Sequence, residues 1–281
     1  MHFLNLPEEF RRLERAQIAI LPVPYDATST WLKGADRGPQ ALLAASAALE
    51  LYDIETDAEV YRHGIFTDAP ITEAGSPEAM VEATRRRAAE LLAQGKFVVT
   101  IGGEHSVSVG PIRACAARFG DLSVLQFDAH ADLREEFRGS RFNHACVMAR
   151  VRELCPIVQV GIRSMDVSEK AAASDHPVFF AQEIAGADES WMEEVVNRLS
   201  ARVYVTIDLD VFDPSIVPST GTPEPGGLPW YPVLRLLRLL AGRREIVAFD
   251  IVELCPHAEN KAPDFLAAKL LYKILSYRFS P

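Results

Sequence analysis

Short apolar runs rich in β-branched residues recur along the chain, at positions 17–21, 97–101, 122–127, 157–161, 178–180, 203–207 and 246–251. They show no polar alternation, so each is predicted as a strand buried on both faces. Between them the apolar spacing becomes helical. One helix is predicted over 76–94, opened by a Ser76 cap with Pro77 in its first turn and stopped by Gly95; others are predicted over 190–199, 231–240 and 264–279. Strands alternating with helices predict an α/β fold, a doubly wound and mostly parallel sheet with helices on both faces in three layers. No composition shift, long linker, repeat or low-complexity segment divides the 281 residues, and one domain over 1–281 is expected.

Composition adds exclusions. Hydrophobic residues make up 48% and charged residues 24%, the balance of a globular chain rather than a disordered or fibrous one. With 39 Asp and Glu against 29 Lys and Arg, the formal charge is −10. That balance disfavours a nucleic-acid partner and suits a cationic ligand. The basic cluster Arg85-Arg86-Arg87, with Glu82 and Glu90 nearby on the same helix, reads as a solvated face. No apolar stretch approaches the ~18 residues of a membrane span, and the beginning of the chain carries charges where a signal peptide is apolar. The expectation is a cytoplasmic protein with no membrane partner. Cys115, Cys146, Cys155 and Cys255 lie far apart without a C-x-x-C pair and read as packing residues.

In doubly wound sheets the ligand lies beyond the carboxyl ends of the strands, and three predicted ends are unusual. They carry Gly102-Gly103-Glu104-His105-Ser106, Asp128-Ala129-His130-Ala131-Asp132 and Asp208-Leu209-Asp210. Residues two apart in extended chain share a side, so Asp128, His130 and Asp132 are expected to converge, as are Asp208 and Asp210. So many carboxylates at a buried sheet end need cations to neutralise them. Four aspartates and two histidines, with no thiolate, suit Mn(II) and similar octahedral ions better than structural zinc. Six ligands exceed what one catalytic ion with open positions takes, and two ions sharing carboxylates fit better. With a bridging hydroxide such a cluster stays slightly anionic, which favours a cationic substrate.

G-G-E-H-S at 102–106, F-D-A-H-A-D at 127–132 and T-I-D-L-D-V-F-D-P at 206–214, the last running into S-T-G-T-P-E-P-G-G-L at 219–228, resemble in order and spacing the signatures of the ureohydrolase family of arginases and agmatinases. The likeness extends from Pro24-Tyr25-Asp26 and Gly34-Ala35-x-x-Gly38-Pro39 to D-I-V-E-L-C-P at 250–256, nearly the whole chain. It implies an arginase-like sheet of about eight strands and two Mn(II) ions. His105, Asp128, Asp132 and Asp208 would hold one ion and Asp128, His130, Asp208 and Asp210 the other, with Asp128 and Asp208 bridging. It further implies that a hydroxide between the ions attacks, that His144 transfers a proton and that Glu253 grips the guanidinium. Asp132 counts among the catalytic residues as well as the ligands. The chemistry is consistent: a guanidinium carbon is a poor electrophile that needs hydroxide near neutral pH, and a planar cation with paired N–H groups is well met by a carboxylate. Trimers or hexamers are common in the family, so a homo-oligomer is expected.

The run Asp132-Leu133-Arg134-Glu135-Glu136-Phe137, followed by Gly139 and His144, resembles bacterial agmatinases; arginases place an asparagine for the substrate carboxylate where this chain has Arg134. The implied reaction is hydrolysis of agmatine to putrescine and urea, a step of polyamine biosynthesis. Glu135 or Glu136 would complement the amine end of agmatine, although a solvated loop is the default for either. Arg134, if it points into the site, favours a carboxylate-ended substrate such as 4-guanidinobutyrate; arginine and formiminoglutamate are further alternatives. Asp36, where agmatinases usually carry Arg, is a small departure in the N-terminal loop. Thr220 and Thr222 are expected on the rim, and Asp213 and Asp250 as loop supports. From other classes, a dinuclear phosphoesterase would show a G-N-H-D-type turn with basic groups, and a single-zinc deacetylase would need fewer carboxylates. A non-catalytic metal-binding member would not need the full set with His144 and Glu253.

Overall fold

A computed structural model describes residues 1–280. Its strands are β1 (Ile18–Val23), β2 (Ile65–Thr67), β3 (Phe97–Gly102), β4 (Leu122–Phe127), β5 (Ile157–Ile162), β6 (Val178–Phe180), β7 (Arg202–Asp208) and β8 (Glu245–Val252). They form one eight-stranded sheet in the order β2-β1-β3-β8-β7-β4-β5-β6, with every neighbouring pair parallel. The helices are α1 (Gly38–Ser46), α2 (Pro77–Ala93), α3 (Val109–Arg118), α4 (Val147–Val151), α5 (Lys170–Ala173), α6 (Ala181–Ile184), α7 (Ser190–Asn197), α8 (Trp230–Arg243) and α9 (Ala262–Phe279).

Alternate strand residues enter two cores. Ile18, Ile20, Val99, Val205 and Phe249 pack with Leu42, Val195, Val233 and Leu271 from α1, α7, α8 and α9. Ala19, Leu21, Val98, Tyr204 and Ala248 pack with Met80, Ile112 and Val147 from α2, α3 and α4. Three layers follow directly, because a strand apolar on both sides needs cover on both.

Each predicted strand is present, β4 and β6 with the predicted bounds and the others within two residues of them. β1 runs on through Pro22, whose missing N–H is harmless because β2 has ended on that side; the Pro22 carbonyl accepts from Ile71 instead. Ser76 caps α2 as expected, its Oγ accepting from the Ala79 N–H at 3.1 Å. Five helices escaped the periodicity: α4, α5 and α6 span only one turn or little more, α1 opens with Gly38-Pro39, and α3 carries Gly110-Pro111 in its first turn, both of which read as breaks. β2 was missed as well: its three residues end in the hydroxyl of Thr67 and make no wholly apolar run, unlike the equally short β6.

Candidate metal centre

The adjacent strands β3, β8, β7 and β4 end side by side, and at or just beyond their carboxyl ends lie His105, Glu253, Asp208 with Asp210, and Asp128 with His130 and Asp132. The local conformations differ from the extended chain expected. His105 opens a 3₁₀ turn over His105–Ser108, Asp208 caps another over Leu209–Val211 that contains Asp210, and Asp132 adopts a left-handed φ of 55°. Convergence therefore comes from turns, which free the carboxylates from the pleat. The Asp128 Oδ1 accepts from the His130 N–H at 2.6 Å and Asp208 Oδ1 from the Asp210 N–H at 2.9 Å, so each motif folds on its own first aspartate.

Backbone contacts fix these turns. Gly103 lies so close to the loop after β1 that a Cβ there would sit 1.9 Å from the Tyr25 carbonyl oxygen. Its carbonyl accepts from the Glu253 N–H at 2.7 Å, and the Glu104 N–H donates to Tyr25 at 2.8 Å. Gly161, at φ 94°, places the Val160 carbonyl to accept from the Asp128 N–H at 3.1 Å.

His105 Nδ1 faces Asp128 Oδ2 at 3.0 Å, Asp132 Oδ2 at 3.1 Å and Asp208 Oδ2 at 3.5 Å. Its Nε2 lies 2.9 Å from Thr206 Oγ1, and that hydroxyl donates to Asp250 Oδ1 at 2.7 Å. Thr206 therefore accepts from His105 Nε2–H, which leaves Nδ1 as a buried lone pair without a hydrogen-bond partner, aimed at three carboxylates. His130 Nδ1 lies 2.8 Å from Asp210 Oδ2 and 3.6 Å from Asp128 Oδ1. Two groups have ligand atoms close enough to hold an ion, His105 with Asp128 and Asp132, and Asp128 with His130 and Asp210; Asp128 belongs to both. A lone pair opposed to carboxylates is what a divalent cation satisfies, and the donor set fits the ions expected.

Electrostatics show how strained the cluster is without cations. Burial depresses the His105 imidazole, but Asp128 and Asp132 outweigh it and hold the ring well above its ordinary range. His130 is likewise driven down by burial and raised further by Asp210 and Asp128. Burial followed by repulsion from Asp128 pushes Asp132 up to about 7. Burial and Asp210 raise Asp208, and burial and Glu104 raise Glu253. His144 moves the other way, lowered to about 4 by burial and by His130 and His105.

A cavity of about 290 Å³ opens over this cluster. Asp132, His144, Thr222 and Glu253 line it, together with Thr30, Arg134, Phe137, Met165, Asp166 and Glu169. Glu253 Oε1 accepts from the His105 N–H at 2.8 Å and lies 3.9 Å from His144 Nδ1. The His144 N–H donates to Thr28 Oγ1, which donates to Glu104 Oε1 at 2.7 Å, so the loop after β1 seats His144. Arg134 lines the cavity but is already engaged: Asp166 Oδ2 is 3.5 Å away, Glu169 Oε2 3.9 Å, and its guanidinium lies over the Phe137 ring at 4.5 Å.

The glutamates named for the substrate tail lie elsewhere. Glu135 is exposed and bonds Arg150 at 2.5 Å, and Glu136 is exposed, outside the cavity; the acidic wall is made by Asp166 and Glu169. Asp213 does support its loop, accepting from the Ser215, Gly226 and Gly227 N–H groups. Asp250 does not; it is buried within β8 between Thr206 and Tyr204, orienting His105. Thr222 reaches the cavity, and Thr220 is buried with its hydroxyl unpartnered. The cysteines form no disulfide.

Residues 16–276 match the arginase family. The chain belongs to the arginase family. A protein of Synechocystis sp. described as N(1)-aminopropylagmatine ureohydrolase is 37% identical over 98% of this chain and 95% of its own length. One of the same description from Thermus thermophilus is 39% identical over 94% of this chain and 91% of its own. The crystal structure of agmatine ureohydrolase of Thermoplasma volcanium superposes with a TM-score of 0.89 at 30% identity, covering 96% of this chain and 92% of that one. The protein is thus an arginase-family hydrolase, agmatinase-like in its relatives. No helix among the described residues is long and apolar enough to cross a membrane.

Proposed function

We propose that the protein hydrolyses the guanidinium group of agmatine to putrescine and urea with two Mn(II) ions. The observation that carries this reading is His105 Nδ1, a buried lone pair facing Asp128, Asp132 and Asp208 beside a second group that shares Asp128. His105, Asp128, Asp132 and Asp208 would hold one ion, and Asp128, His130, Asp208 and Asp210 the other. Bound there, such ions would supply hydroxide near neutral pH by lowering the pKa of water.

The chain's own residues do the rest. Glu253, buried and fixed by the His105 N–H, receives the planar guanidinium and orients its carbon over the cluster. Asp132, which lines the cavity together with His144, would serve both as a ligand and in the catalytic set. The amine must leave neutral, and His144, whose Nε2 has no other partner, moves a proton to it. Burial, the largest cause, holds His144 below its ordinary range, which suits a shuttle rather than a stored acid. Water and the guanidinium together yield urea and an ammonium, so the exchange balances.

The tail preference follows from the cavity wall around Arg134. Arg134 is offset by Asp166 and Glu169, so the wall is net anionic and offers no free cation to a carboxylate. An amine-ended substrate is therefore favoured over arginine or 4-guanidinobutyrate. An aminopropyl extension of agmatine is the second reading, supported by the descriptions of the Synechocystis and Thermus relatives. Metal-depleted protein titrated with Mn(II) should take up two ions per chain and release urea from agmatine only when loaded. Uptake of fewer than two ions, or urea release by the chelated protein, contradicts this reading. A cytoplasmic homo-oligomer completes it.

A further inference from the structure

Two glutamines interrupt otherwise apolar strands: Gln126 on β4 and Gln159 on β5, opposite each other in register and fully buried. A buried primary amide is costly unless its donors and acceptor are used. Gln126 Nε2 donates to Asp128 Oδ2 at 2.6 Å and to the His130 carbonyl at 3.4 Å. Gln126 Oε1 accepts from Gln159 Nε2, which also donates to the Ala131 carbonyl at 2.8 Å. Gln159 Oε1 meets His176 Nε2 at 2.7 Å. The Asp128 carboxylate and the two loop carbonyls can only accept, so both amides must turn their NH₂ groups toward residues 128–131. The one acceptor left at the outer end then requires the proton on His176 Nε2. His176 is half-buried, on the wall of a separate open cavity of about 620 Å³ near Phe179 and Trp191. Nothing in the proposed reaction uses any of the three.

We propose that Gln126, Gln159 and His176 form a relay of positioning residues that holds the 128–131 loop and Asp128 Oδ2 in their metal-binding arrangement before the ions arrive. The physical gain is preorganisation: a carboxylate and two carbonyls fixed in advance need no reordering when metal binds. This inference rests on the metal reading above.

The test titrates metal-depleted protein with Mn(II), following affinity and the electron paramagnetic resonance signal of the coupled pair. Gln126→Met keeps volume but removes both N–H groups, and should weaken Mn(II) binding by roughly tenfold to a hundredfold. His176→Phe keeps a ring without the N–H and should weaken binding in the same direction by less. His176→Gln, whose amide reaches the same acceptor, should restore it, and His176→Phe should add nothing in a Gln126→Met background. A purely structural role would lower the thermal midpoint of the metal-free protein and leave Mn(II) affinity unmoved. Unchanged affinity in folded Gln126→Met, or a His176→Phe effect that persists in full beside it, overturns the relay. Should Gln126→Met fail to fold, the His176 pair decides alone: loss in Phe with rescue in Gln supports the relay, and equal affinity in both defeats it. Unsubstituted protein that binds no Mn(II) would instead defeat the metal reading itself.

Discussion

Glu253 and Asp132 both hold left-handed backbones, with φ of 63° and 55°, an arrangement that costs each on the order of 1–3 kcal/mol and persists only where neighbours enforce it. For Glu253 the neighbour is Gly103; for Asp132 it is α4, whose Met148 N–H donates to the Asp132 carbonyl at 2.9 Å. Glu253→Gln keeps that geometry and removes the charge, so the ions should stay while kcat/KM for the guanidinium collapses; unchanged kcat/KM would remove Glu253 from substrate recognition. His144→Asn should keep metal content and lower kcat by roughly 10²–10⁴-fold, and a smaller loss would place the proton elsewhere. Asp128→Asn, which touches both ligand groups, should lose metal and activity together, as elemental analysis will show. The motif residues were legible because D-x-H-x-D and D-x-D place several charges where a buried sheet ends. The roles of Thr206, Asp250, Gln126 and Gln159 were not, Asp250 having been expected as a loop support, although each left a signal: one polar residue in a run whose faces are both buried must find a partner inside.

At the level of elements, the strands were legible because parallel strands covered on both faces read as unbroken apolar runs, and α2 because its cap, proline and terminal glycine agree. α1 and α3 were hidden by Gly-Pro pairs that sit in first turns, where they do no harm. The turns beyond the strands were misread as extended chain because side-chain spacing carries no record of backbone caps such as Asp208 on Asp210. Those turns make the site depend on close backbone contact. Gly103→Ala should destabilise by about 3 kcal/mol or more, because its new Cβ meets backbone rather than a movable side chain. Thermal or denaturant unfolding measures this, and a loss under 1 kcal/mol would show the loop after β1 to be free to shift.

Across the whole molecule, the acidic surplus has a location. The site gathers buried carboxylates whose protonated forms are favoured when no cation is present, with Asp132 pushed up to about 7 and Asp208 and Glu253 also raised. A carboxyl whose folded pKa exceeds its unfolded one supports the fold below the unfolded value and loses that support as pH rises through the folded value. Raised His105 and His130 act with the same sign. Metal-free protein should therefore lose thermal stability between about pH 4 and pH 8, Mn(II) should flatten that slope, and a metal-free midpoint that climbs with pH would contradict the electrostatics. On the proposed reading, the cavity wall where Arg134 is offset by Asp166 and Glu169 would set the remaining specificity. The most direct measurement is urea release by Mn(II)-loaded protein from agmatine, its aminopropyl derivative, arginine, 4-guanidinobutyrate, formiminoglutamate and guanidine, ranked by kcat/KM. The amine-ended compounds should lead and the carboxylate-ended ones trail; no urea from any guanidino compound would contradict the hydrolase reading at its centre.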